Sequence, residues 1–191
     1  MKEINNFNYP SHQELIRELE KSSLKNSEDK LLIMLMFFGI GDGEYKKLTK
    51  IKKSDLKGNT LIVENKKFEL DEYTKELFIK ASNSNCYIAF GKKEVAYEKS
   101  KDSEYIFYNR INSKNPFGTN NITEEGLRRR FKTIKSNLGI KIDIRSLRVS
   151  KLLYDMKEKK EKWTTKEVII YLYENKLSFS ENKIFQLLKA F

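Results

Sequence analysis

Arginine supplies the residues of this chain best suited to chemistry. Arg128-Arg129-Arg130 stands in one stretch with Lys132 and Lys135, and Arg145 and Arg148 follow, three residues apart. A guanidinium stays charged at any physiological pH. It presents a planar fork of donors that can grip a phosphate, or the O6/N7 edge of guanine, through two parallel hydrogen bonds. Further cations, Lys46, Lys47, Lys66, Lys67 and Lys151, come from separate segments. Each feature has a plainer reading. Charge runs are commonly solvated faces, and arginines three apart on one helical face commonly serve surface salt bridges.

Other chemistries find little support. The single cysteine, Cys86, excludes a disulfide framework and a Cys-based zinc site, and fits a reducing compartment. The only histidine, His12, falls in the first helical pattern and is expected on the surface. Gly41-Asp42-Gly43 lacks the spacing of a nucleotide-binding fingerprint and reads as a turn. Tyr171 and Tyr173 read as core or surface aromatics. Trp163 could stack on a base, but packing is the plainer role. No metal or cofactor is expected.

Helices must position most of these groups. Residues 1–10 read as an extended lead-in. Ser11 and Glu14 make a capping box for a helix over about 11–23, with Leu15, Ile16 and Leu19 as its apolar stripe. An apolar helix over about 28–38 is entered at Ser27, and Gly39 suits its left-handed stop. A short helix over about 43–49 follows. Thr60–Val63 and Lys67–Leu70 read as two strands joined by Glu64-Asn65-Lys66. A helix runs from Asp71 to about Ser82. Across 84–120, Cys86–Phe90 and Glu104–Tyr108 are strand or buried loop, and the remainder is loop. Thr123 caps a helix with Leu127, Phe131, Ile134 and Leu138 on one face, ended by Gly139. A helix over about 145–157, a solvated turn or helix end at Lys157–Lys162, a helix opened by Thr164 or Thr165, and a last helix opened by Ser178 and Glu181 complete the pattern. The expected fold class is mainly α with a small antiparallel β-hairpin (α+β).

Composition adds a bias. The 191 residues suit one domain, and 38 Lys and Arg against 27 Asp and Glu leave a net charge of +11. Such a surplus favours a polyanionic partner, because each neutralised phosphate releases condensed counterions. A Lys-, Asn- and Ile-rich composition alone produces part of it. No stretch reaches the roughly 18 apolar residues that span a bilayer. The most apolar run, Leu31–Ile40, is a core helix. The N-terminus is polar and unlike a signal peptide.

Residues 11–191 resemble the catalytic domain of tyrosine recombinases and phage integrases. The family's first box, roughly Thr-Gly-Leu-Arg-x-Ser-Glu-Leu, is matched by Phe38-Gly39-Ile40-Gly41-Asp42-Gly43-Glu44-Tyr45 and then Leu48. The glycine and glutamate agree, but Gly41 replaces the phosphate-clamping arginine. The second box, His-x-Leu-Arg-His-Thr, is matched by Arg145-Ser146-Leu147-Arg148-Val149-Ser150. Arg148 then corresponds to the second arginine, and Arg145 replaces the histidine. Lys66 and Lys67 match the hairpin lysine. In the third box Tyr171-Leu172-Tyr173-Glu174 puts Glu174 in place of a histidine. The nucleophile's position falls near Lys183, and no tyrosine follows Tyr173.

The resemblance implies a protein that has kept the recombinase fold and lost its chemistry. The family attacks a phosphodiester with a phenolate while two arginines hold the non-bridging oxygens. Losing the nucleophile removes the covalent step. Only about ten residues precede the domain, so the family's N-terminal core-binding domain is expected to be absent. The expectation is a non-enzymatic, double-stranded-DNA-binding protein of the bacterial cytoplasm, similar to integrase-like repressors of temperate phages. It would act as a transcriptional regulator or accessory factor of a phage or mobile element. The expected DNA face comprises Lys46, Lys47, Lys66, Lys67, Arg128, Arg129, Arg130, Lys132, Arg145, Arg148 and Lys151. Two alternatives stay open. One is a strand-transferase with a displaced nucleophile at Tyr154, Tyr171 or Tyr173. The other is a module that docks on an integrase, or on its own copy as a homodimer, through the C-terminal helix ending at Phe191.

Overall fold

A computed structural model describes residues 9–41, 45–89, 95–98, 103–109, 121–158 and 164–174, with the side chains of 157 and 158 set aside. Among these residues the fold is mainly helical with two small antiparallel sheets. The expected last helix, the turn at Lys157–Lys162 beyond residue 158, and Trp163 lie outside them.

Helix α1 (His12–Lys21) starts where Ser11 Oγ accepts the Glu14 N–H at 3.2 Å. Helix α2 (Ser27–Phe37) is the axis of the core, with every residue from Leu31 to Phe37 buried. An all-round apolar helix has no wet face to offer, and α2 is wrapped by α4, α5 and α6. Its end is a Schellman motif. Gly39 takes φ 79°, the Gly39 N–H bonds to Met36 O and the Ile40 N–H to Leu35 O.

Helix α3 (Tyr45–Thr49) leads to a three-stranded sheet of β1 (Leu56–Lys57), β2 (Thr60–Val63) and β3 (Lys66–Glu69). The expected hairpin is present with Val63 facing Lys66, so its loop is only Glu64 and Asn65. Both have positive φ, 48° and 65°. That is the type I′ pattern whose twist suits a two-residue hairpin. Strand β1 was not expected. Two residues are too few for periodicity to reveal.

Helix α4 (Glu72–Asn83) is capped by Asp71, whose Oδ1 accepts the Thr74 N–H at 2.7 Å. Cys86–Ala89 (β4) pairs with Val95–Glu98 (β5), a segment expected to be loop. Residues 104–108 form a buried loop held by single bridges, with the Ile106 N–H on Ile51 O.

Helix α5 (Glu124–Ser136) is capped by Thr123 and buries Leu127, Phe131 and Ile134. It stops before Gly139, and Asn137 closes it through its side chain to Thr133 O at 2.7 Å. At Gly139 a Cβ would meet only the tip of the Glu18 side chain, at 2.7 Å, which can swing aside. Helix α6 (Ile144–Glu158) and helix α7 (Thr165–Glu174) finish the described fold. Leu147 faces the main core, while Val149, Leu152 and Met156 join Val168 and Leu172 of α7 in a second cluster.

Candidate nucleic-acid interface

Local capping fixes the start of α6. Asp143 Oδ1 accepts the Ser146 N–H at 2.6 Å while Ser146 Oγ accepts the Asp143 N–H at 2.8 Å. This reciprocal box leaves Arg145 exposed in the first turn of α6. Helix α5 packs against α3, and its exposed side carries Arg128, Arg129, Lys132 and Lys135.

The three elements enclose an open groove of about 440 Å³. Tyr45, Phe131 and Ile144 give it an apolar floor, and Arg128, Lys132, Lys135 and Arg145 give it a cationic rim. Among the described residues Asp143 is its one acid. The Arg128 guanidinium lies 5.7 Å from the Tyr45 ring centroid. Burial pushes the Tyr45 hydroxyl above its ordinary range, with Arg128 pulling the other way. Glu125 ties two of the cations of α5, at 2.9 Å to Arg129 and 3.9 Å to Arg128.

Three residues expected on the DNA face are not surface cations. Arg130 has a side chain only 8% exposed, ion-paired with the fully buried Asp29 and 4.0 Å from the Tyr87 ring. Burial works against its charge, but Asp29, Tyr87 and Glu28 together outweigh it and hold the guanidinium protonated. The reason is phase: 127, 130, 131 and 134 share the core-facing stripe of a 3.6-residue helix. Arg148 is 5% exposed and lines a cavity of about 10 Å³ with Gly41, Tyr45 and Leu48. It does not share the outer face of Arg145, because α6 is covered on two sides by the two apolar clusters. Lys151 is paired with Asp155 and lies over the Phe38 and Tyr154 rings.

The remaining cations are spread. Lys46, Lys66 and Lys67 are exposed, and Lys47 sits 3.5 Å from Glu64 in the hairpin turn, which ties α3 to the sheet. His12 is not a surface residue. Its Nε2 lies 2.5 Å from Asp71 Oδ2, and its ring packs at a tilt against Phe37 and Tyr154. Burial and then Asp155 push the Tyr171 hydroxyl well above its ordinary range, with Arg148 opposing. Tyr154 is packed in the ring cluster, and Tyr173 is exposed.

Asp143 was missed as a groove residue, although the Asp143–Ser146 spacing is a capping signal that sequence can show. No helix among the described residues is long and apolar enough to cross a membrane, and none of their acidic, histidine or cysteine groups cluster as a metal site. No protein-family model matches the chain, and no curated protein matches it.

Proposed function

We propose that the chain is a DNA-binding protein that carries a tyrosine-recombinase-like domain without strand-cleaving chemistry, and that it serves as a transcriptional regulator or accessory factor of a mobile element. The observation that carries the binding is the groove. Arg128, Lys132, Lys135 and Arg145 converge there from two helices, against a single acid among the described residues, in a chain of net charge +11. The recombinase likeness is supported by the order of elements and by one juxtaposition. Gly41 and Arg148, which match the family's two arginine positions, line the same cavity. With glycine at one of them, a phosphate there would lack half of its clamp. A Tyr171 hydroxyl held above its ordinary range is a poor nucleophile at neutral pH, which favours binding over strand transfer.

Fluorescence anisotropy with duplex DNA at two salt concentrations tests the binding. Affinity is expected to fall steeply with salt, and Arg145→Ala with Lys132→Ala is expected to weaken it at low salt. Absence of binding by the wild-type protein at low salt refutes the reading. A suicide substrate followed by denaturing electrophoresis tests the chemistry: no covalent adduct is expected, and an adduct abolished by Tyr171→Phe would establish the strand-transferase alternative.

A further inference from the structure

Outside the groove the surface is unusual at α7. Five large apolar side chains are exposed among the described residues, and three of them, Ile169, Ile170 and Tyr173, lie close together on this one helix. Single exposed apolar residues are ordinary, but a contiguous group of them marks a contact surface. The inner side of α7 is already covered, with Val168 and Leu172 buried against Val149, Leu152 and Met156 of α6. On a 3.6-residue helix Lys166, Ile170 and Tyr173 form the outward row, with Ile169 beside it and Glu174 at its far end. Lys166 and Glu174 are both exposed, so the row carries opposite charges at its two ends. Glu167, the other acid of α7, is engaged in the N-terminal cap, where it accepts the Thr164 N–H at 2.7 Å.

We infer that α7 pairs with α7 of a second copy of the chain, antiparallel about a twofold axis at Ile170. A twofold interface lays one patch onto itself, so the patch must complement its own inverted image. The outer face of α7 meets that condition. Inversion about Ile170 carries position 166 onto position 174, so Lys166 of each copy meets Glu174 of the other. Ile170 meets its twin, and Ile169 and Tyr173 cover the flanks. A parallel pairing would set like charges together, and an unrelated partner gives no reason for the two ends to be opposite. No described residue of α7 lines the cationic groove, so pairing leaves both grooves open. The inference does not rest on the DNA-binding reading. Two helices of 10 residues bury less than the roughly 1,200 Å² of a standard interface, so the pair is weak and reversible.

Sedimentation of the DNA-free protein at concentrations up to about 1 mM tests this, since even a dimer with a Kd of that order shows there. The mean mass is expected to climb from 22.6 kDa toward twice that value and to level off. Tyr173→Ser changes a side chain that is 84% exposed, so the variant is expected to keep the wild-type thermal melt. It is expected to weaken pairing by about tenfold, the scale of an aromatic anchor. Lys166→Glu and Glu174→Lys are each expected to weaken pairing by about threefold, the scale of exposed ion pairs. The double variant exchanges the two charges and is expected to restore the wild-type value. A monomer mass at every concentration overturns the inference. So does a Tyr173→Ser protein that associates like the wild type, or a mass that rises past the dimer without levelling. A double variant that pairs no better than either single one overturns the antiparallel arrangement and the inference with it.

Discussion

Arg130 of α5 reaches across the core to Asp29 of α2, a carboxylate 101 residues away in sequence, and their ion pair is closed off from solvent. Asn26 Nδ2 also donates to Asp29 Oδ2 at 2.8 Å, and Asn26 clamps the Ile88 backbone at both its N–H and its C=O. The pair therefore joins α5, α2 and β4 into one polar node inside an apolar core.

Arg130 and Arg129 are expected to behave as opposites, though they are adjacent. Arg130→Ala strands a buried carboxylate, a loss of about 3–5 kcal/mol. Arg129→Ala removes a side chain that is 79% exposed, and stability is expected to stay within about 0.5 kcal/mol. Urea denaturation of the two variants measures the contrast. Equal midpoints would mean that Arg130 is not held in the core.

A similar contrast is expected along α6. Arg148→Ala empties a buried position, a change expected to cost about 1–3 kcal/mol. Arg145→Ala acts on an exposed side chain, so it is expected to lower DNA affinity with little change in melting temperature. Thermal melting and anisotropy on the same preparations separate the two effects. Wild-type stability for Arg148→Ala refutes the burial argument.

Glu125 competes with phosphate for Arg128 and Arg129. Glu125→Gln releases both guanidiniums, and DNA affinity at low salt is expected to rise by roughly threefold, the scale of an exposed pair. The gain should shrink as salt is raised. An unchanged or weaker affinity would show that these arginines do not touch DNA.

Acid should weaken the link between α1 and α4. Burial pushes the Asp71 carboxyl up, but hydrogen bonds from His12 and Thr74 outweigh it and leave the group below its ordinary value. The unfolded chain therefore binds this proton first as pH falls. The stabilisation is complete above the ordinary carboxylate range, near pH 4, and is lost as pH drops through the lower folded value. Asp71→Asn keeps a capping side chain, so its melting temperature is expected to depend less steeply on pH below about 4. Parallel slopes for the two proteins would refute this.

Local rules wrote much of this fold into the sequence. Ser11, Asp71 and Thr123 each cap the helix they precede, and Gly39 ends α2. The 60–69 hairpin follows from two short apolar runs around a turn. Such signals are short-range because the groups that satisfy a helix end or a turn lie within a few residues. The composition likewise showed an excess of positive charge, but not where it gathers. Only tertiary packing decided which cations face water. Arg130 sits at a core-facing phase that the sequence shows, yet whether a buried arginine is tolerable there depends on Asp29, which packing delivers from 101 residues away. Arg145 and Arg148 have the same spacing as any surface pair. Arg148 is buried because the main core closes over one side of α6 and α7 over another. The groove itself belongs to no segment, since α3, α5 and the cap of α6 each supply one wall.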